Sequence, residues 1–283
     1  MALNLYGLRK LIEYSLSEDI GTGDLTTNSI VPTDAVSTGY IITKEAGVIA
    51  GVPVAEMVFR CLNPEARFLT HAGDGEWVEQ GRVLMEVHGN ARAILTGERL
   101  ALNFLQRLSG IATRAAQLVK LVGGGKPAIV DTRKTTPGLR VLEKYAVMMG
   151  GGHNHRFGLY DAVLIKDNHI KIARGITKAV ELARRGSPHT SKIEVEVESL
   201  TGVKEALEAG ADIIMLDNMT PKLMQEAVAL VSGKALVEAS GGITEETIRA
   251  VAAAGVDLIS IGALTHSVKS LDISLDLEEI KTN

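Results

Sequence analysis

Residues 150–169 read GGGHNHRFGLYDAVLIKDNH, which places His153, His155, Arg156, Lys166 and His169 between a glycine run and an apolar run. The whole chain carries a net charge of −4, so this excess of positive or potentially positive groups needs a local reason. A solvated loop beside a core strand is one reading. A pocket for something strongly anionic is the other. Further chemistry-bearing residues stand in the same relation to short apolar runs. AIVDTRK ends in Asp131, Thr132, Arg133 and Lys134, and AVLIKDN in Lys166, Asp167 and Asn168. IEVEVES offers Glu194, Glu196 and Glu198, which period-two alternation sets on one face. IIMLDNM ends in Asp217 and Asn218, ALVEASGG in Ser240, Gly241 and Gly242, and LISIGAL in Gly262 and Ala263.

These residues sort by chemistry. Arg133, Lys134, Arg156 and Lys166, with His155, make a cationic group for carboxylates and phosphates, Arg adding bidentate geometry and Lys a point charge. Glu196 and Asp217 are hard-oxygen groups fit for ribose hydroxyls, Mg²⁺ or a cationic transition state. EASGGITEET sets glycines before a helix whose free N–H groups and dipole can hold a phosphate. SIGALTHS offers small residues for close backbone approach. The ligand set is therefore an anionic small molecule together with a phosphorylated, hydroxylated one. Two rivals come from other classes. Lys166 could be the imine-forming lysine of a barrel aldolase, although the charged residues around it disfavour the neutral amine that chemistry needs. A non-enzymatic binder of an anionic metabolite would be weakened by Glu196 and Asp217.

The elements that must position these groups follow from the pattern of the chain. Six short apolar strands, mostly separated by helical segments such as GVKEALEAGA and PKLMQEAVALV, occupy the second half. From Glu196 onward they recur every 21 to 23 residues, the footprint of a βα unit in a parallel sheet. A closed eight-fold barrel takes ~250 residues and only about 140 are available, so an open, incomplete barrel of six strands is expected. Its site belongs at the C-terminal strand ends, where the loops converge. Before it, residues 91–122 read as a long helix interrupted at Gly110, and the domain boundary is set there. The expected division is a small N-terminal α/β domain over 1–109, a barrel over 110–267, and a tail over 268–283 that returns to the first domain.

Composition narrows the function classes. A chain of 283 residues makes two domains the default and one large α/β domain the alternative. Aromatics are only 4%, too few for base-stacking platforms, and the net charge opposes a sequence-independent phosphate-backbone binder. Nucleic acid is therefore not expected as a partner. Cys61 is the single cysteine, so no intrachain disulfide can form, which fits a reducing compartment. Leu5, Leu8, Leu11, Ile12 and Leu16 recur at helical spacing among charged residues, an amphipathic helix and not a signal segment. No apolar run approaches the ~20 residues of a membrane span. A cytoplasmic enzyme without membrane contact is expected.

At this point the residues resemble a known family. EDIGTGDLTT, GERLALNFLQRLSGIAT, DTRKTTPGLR, EKYAVMMGGGHNHRFGLYDAVLIKDNHI, EVEVES, IMLDNM, ASGGI and SIGALTHS together are similar to quinolinate phosphoribosyltransferases, nearly end to end. The resemblance implies an N-terminal α/β sandwich, an open α/β barrel, and a homodimer or higher assembly whose sites are shared between subunits. It implies that phosphoribosyl pyrophosphate and quinolinate give nicotinate mononucleotide, pyrophosphate and CO₂, with Mg²⁺ required. By motif, Arg133, His155, Arg156 and Lys166 would bind quinolinate, and Arg99 of GER would enter from the partner subunit. Thr132 would also bind substrate, and Lys134, Glu196 and Asp217 would hold the sugar diphosphate and carry the chemistry. Ser240, Gly241, Gly242, Gly262 and Ala263 would hold its 5′-phosphate, with Ile261 beside them among the substrate-binding residues. Mg²⁺ would arrive with the diphosphate near Glu196 and Asp217, with no direct ligand assigned.

Overall fold

A computed structural model describes residues 5–123 and 127–278. The first helices and strands are α1 (Leu5–Ile20), α2 (Leu25–Ile30), β1 (Val36–Thr43), β2 (Gly47–Val48), α3 (Val52–Leu62), β3 (Arg67–Thr70), β4 (Trp77–Val78), β5 (Val83–Asn90) and α4 (Ala91–Leu121). Next come β6 (Ala128–Val130), α5 (Arg140–Met149), β7 (Val163–Ile165), α6 (Asp167–Ala173), α7 (Ile176–Gly186) and β8 (Ile193–Val197). The chain continues through α8 (Leu200–Glu208), β9 (Ile213–Asp217), α9 (Pro221–Val231), β10 (Leu236–Ser240), α10 (Ile248–Ala253), β11 (Leu258–Ser260), α11 (Ala263–His266) and β12 (Ile273–Leu277). They divide into two compact units. One holds residues 1–116, 136–151 and 267–283, the other residues 117–135 and 152–266.

The first unit is built on an antiparallel sheet ordered β12-β1-β5-β3. The C-terminal tail supplies its edge: β12 pairs with β1, Ile273 facing Thr43 and Leu277 facing Gly39. Of the tail expected over 268–283, residues 279–283 lie outside the described residues. The amphipathic pattern at the start of the chain becomes α1, with Leu8, Ile12 and Leu16 buried.

α4 runs unbroken through Gly110, against the interruption expected there. A Cβ at Gly110 would stand 2.2 Å from the carbonyl oxygen of Lys269, so this glycine serves close approach of another segment and not a break. α4 also completes the backbone of the β2 segment. Ser109 Oγ accepts from the Ala50 N–H at 3.1 Å and donates to the Ala50 carbonyl at 3.3 Å; Thr113 Oγ1 does the same for Val48 at 2.9 and 3.4 Å. Both hydroxyls are buried, so nothing else replaces them. Ser109→Ala is expected to lower stability by about 1–3 kcal/mol by leaving the Ala50 backbone groups unpaired. Urea denaturation of the variant checks this, and an unchanged midpoint would show that water reaches Ala50.

The second unit is the six-stranded parallel sheet, ordered β6-β11-β10-β9-β8-β7. No pairing joins β6 to β7 among the described residues, so the barrel is open. A near-repeat fixes part of the register. AGADIIM and AGVDLIS each place an Asp just before a strand. Asp212 Oδ2 accepts from the Ile193 N–H, and Asp257 Oδ2 from the Val237 N–H, each at 2.9 Å. Each acid therefore anchors the start of the neighbouring strand. Parallel pairing then brings the far ends to one edge, Ser240 standing opposite Asp217 and Met215 opposite both Glu196 and Glu238.

Candidate active site

At those strand ends the second unit holds a cavity of about 620 Å³. After β6 it is lined by Thr132, Arg133 and Lys134, and from the loop before β7 by His155 and Arg156. Lys166 follows β7, Glu196 lies on β8, and Asp217 ends β9. Ser240, Gly241 and Gly242 close β10; Ile261, Gly262 and Ala263 follow β11. The structure thus brings together every site residue expected from the sequence except Arg99. That residue stands exposed on α4 beside Glu98, in the first unit, and is not among the cavity lining.

The cations are built for an anion. The Nε atoms of Arg133 and Arg156 are both buried without a hydrogen-bond partner. Burial, and then the charge of Arg133, hold the Arg156 guanidinium below its usual range, with Glu194 and Asp161 only partly opposing. Its Nη1 donates to the Ala162 carbonyl at 3.2 Å, which fixes the arm. Lys166 is ion-paired with Glu196. An ion-paired lysine is not the free amine an imine-forming aldolase requires.

The phosphate side differs from the expectation in one respect. Helix α10 begins only at Ile248, behind a Thr247 cap, so Gly241 and Gly242 do not open it. They instead turn the chain with positive φ values of 88° and 58°, and a Cβ at Gly241 would stand 2.3 Å from Asn218 Oδ1. Gly262 directly precedes α11, where a Cβ would meet Lys134 Cδ at 3.1 Å. Both glycines let the backbone pack closely against these neighbours, where a side chain would not fit.

The role expected of His155 also changes. Its Nδ1 accepts from the Arg156 backbone N–H at 2.8 Å, which leaves the ring proton on Nε2. That Nε2 faces Glu194 Oε2 at 3.0 Å and Glu238 Oε2 at 3.6 Å. His155 therefore pairs with acids beneath the cavity instead of joining the cationic group. Of the three glutamates expected on one face, Glu194 is buried and Glu196 part-buried, while Glu198 lies beyond the strand and is exposed.

Sequence reasoning passed over Glu238, a fully buried acid in the middle of β10 that lines the cavity. Neither of its oxygens has a hydrogen-bond partner. Burial, followed by the charge of Glu194, pushes its carboxyl up to about 7. The available signal was VEAS itself, an acid at the inward alternation of a core strand. Asn218, Thr244, Ser260 and His266 line the cavity as well.

Strand-end loops, two guanidiniums each with a buried, unpartnered Nε, adjacent carboxylates and glycine turns define an open-barrel enzyme that collects polyanionic small molecules. Residues 24–109 match the N-terminal domain of quinolinate phosphoribosyl transferase and residues 111–276 its C-terminal domain. The chain belongs to this family. It is 47% identical over 275 residues to a probable nicotinate-nucleotide pyrophosphorylase [carboxylating] of Bacillus subtilis, covering 97% of this chain and 95% of that one. NadC from Streptococcus pyogenes superposes with a TM-score of 0.95 at 42% identity, covering 98% and 99% of the two chains. The nicotinate-nucleotide pyrophosphorylase of Francisella tularensis gives 0.92 at 43%, covering 96% of each.

Proposed function

We infer that this chain transfers the phosphoribosyl group of phosphoribosyl pyrophosphate to quinolinate with loss of CO₂, giving nicotinate mononucleotide and pyrophosphate in de novo NAD synthesis. The observation that carries the reading is that Arg133 and Arg156, each with a buried, unpartnered Nε, line one cavity with Glu196 and Asp217. A pyridine dicarboxylate supplies the two anions that such a pair lacks. The family membership supplies the reaction.

Arg133, Arg156 and Lys166 bind the quinolinate carboxylates and hold the ring nitrogen toward the anomeric carbon. That nitrogen is itself the nucleophile, so no Ser or Cys is required. Lys134 and Thr132 hold the sugar diphosphate, and the turns at Ser240–Gly242 and Ile261–Ala263 hold the 5′-phosphate. As pyrophosphate leaves, positive charge develops on the ribose, and Asp217 and Glu196 stabilise it. A Mg²⁺ ion carried by the diphosphate would supply screening of the leaving charge. The hard oxygens of Glu196 and Asp217 suit the waters of such an ion, and no side chain is assigned as its ligand. The enzyme works in the cytoplasm.

The direct test offers quinolinate, phosphoribosyl pyrophosphate and Mg²⁺ and follows pyrophosphate and CO₂. Equal molar release of both supports the reading; release of neither overturns it.

A dimer with shared sites accounts for Arg99, which is not among the residues that line the strand-end cavity. Its stretch, ILTGERLALNFLQRL, is apolar enough to pack against other structure. Two inactive variants, Arg99→Ala and Lys166→Ala, are expected to regain activity when mixed under subunit exchange. A mixed dimer has one site with both defects and one with neither, so activity should return toward half per mixed dimer. Continued inactivity, with exchange shown independently, would refute a shared site.

A further inference from the structure

The reaction just proposed leaves one proton unassigned. When CO₂ departs, the carbon it leaves behind must take up a proton from somewhere. We propose that the carboxyl of Glu238, seated on the cavity floor beside Glu194 and His155, is the acid that delivers it. This rests on the quinolinate reading above.

The geometry favours Glu238 over the other groups of the cavity floor. It lies one layer beneath the Asp217–Ser240 row, level with Glu196 across the sheet. It lines the cavity, yet it is fully buried from solvent and both oxygens lack a hydrogen-bond partner. An unpaired buried carboxylate would be costly, whereas a neutral carboxylic acid is tolerated there. Of the groups around it, Glu194 acts together with burial, and His155 and Ser260 act against them. Glu194, from β8, is an acid at its side, and burial and that acid both favour the protonated form. His155 opposes them, but its Nε2 proton is directed first at Glu194. Ser260, from β11, spends its hydroxyl on the Ala239 carbonyl. Arg133 and Arg156 do not release protons, and Lys166 is held by Glu196. The same cluster is unsuited to a metal ion. His155 would have to offer a lone pair at Nε2 while Nδ1 already accepts from Arg156 N–H, leaving the ring no proton.

The step balances. Transfer of the ribose makes the ring nitrogen cationic. The bond from the adjacent carbon to its carboxylate breaks, and the electron pair stays on that carbon, stabilised by the neighbouring positive nitrogen. The Glu238 O–H bond breaks and its proton joins that carbon. Glu238 is left as a carboxylate and regains a proton from water once the products leave. The anionic substrates enter with their negative charge close to Glu238, which keeps it protonated until that moment.

The test separates the two halves of the reaction in Glu238→Gln. In a single turnover with quinolinate and phosphoribosyl pyrophosphate, pyrophosphate release is expected within about twofold of the parent rate. CO₂ release should fall by roughly 10²-fold or more. The dicarboxylated mononucleotide should accumulate and be visible by mass spectrometry. The parent enzyme gives a second readout that needs no variant: its CO₂ step should slow as pH rises above neutrality, while its pyrophosphate step does not follow. Equal loss of pyrophosphate and CO₂ in the variant, undiminished nicotinate mononucleotide, or a CO₂ step flat from about pH 6 to about pH 9 would each overturn the proposal. Failure of the parent enzyme to release pyrophosphate at all would instead overturn the quinolinate reading.

Discussion

Quinolinate is expected to exceed nicotinate in kcat/KM on the order of 10⁴-fold. The cause lies in two guanidiniums whose Nε atoms are buried. Arg133 and Arg156 each leave Nε without a partner inside the structure, and Arg156 is already disfavoured by burial and by its neighbour's charge. A ligand with two carboxylates satisfies both. Nicotinate brings one, so it enters only by leaving one of the two guanidiniums without a carboxylate partner. Lys166 does not replace the missing anion, because its charge is already matched by Glu196. Steady-state kinetics with both acids decide the matter. Comparable turnover of nicotinate would mean that the arginine pair serves the phosphates, and the quinolinate assignment would fall.

Asp217→Asn should lower kcat by roughly 10²–10³-fold while leaving the KM for quinolinate within a few-fold. Asp217 ends β9, and its Oδ2 accepts from the Asn218 side-chain amide at 2.8 Å, so no cation of the carboxylate pocket depends on it. Its charge matters most when the ribose turns cationic, and an interaction made only then appears in kcat. Glu196→Gln is expected to lower kcat similarly but to move the quinolinate KM too, since removing that charge releases Lys166. The contrast between the two variants is the informative measurement. A loss confined to quinolinate affinity in Asp217→Asn would assign this residue to the wrong substrate.

Local pattern carried much of this site. Each of the six core strands is a short apolar run with polar or glycine residues at its end, so the strands and the edge on which they converge could be read from order alone. What order does not contain is which side chain meets which across the sheet. Glu194 and Glu238 lie on non-adjacent strands, and His155 on a loop before both. Their grouping depends on register, which nothing in EVEVES or VEAS displays. Gly110 was misread for the same reason. A glycine inside a helical pattern signals a break when viewed locally, and the Lys269 carbonyl that demands it comes from the far end of the chain. The start of α10 was placed too early because two glycines before TEET read like a phosphate-binding helix entrance, whereas the chain first makes a separate turn.

The pairing of β12 with β1 also sets a timetable for a nascent chain leaving the ribosome. Every other strand of that sheet has been synthesised by Asn90, yet the edge of β1 stays uncovered until Ile273–Leu277 emerge. At 5–20 residues per second that wait is roughly 10–40 s. For that interval an exposed strand edge, with its unpaired N–H and C=O groups, is open to the matching edges of neighbouring chains. The half of the protein begun first is thus finished last, and its exposure to misassembly during synthesis is governed by the arrival of one five-residue strand.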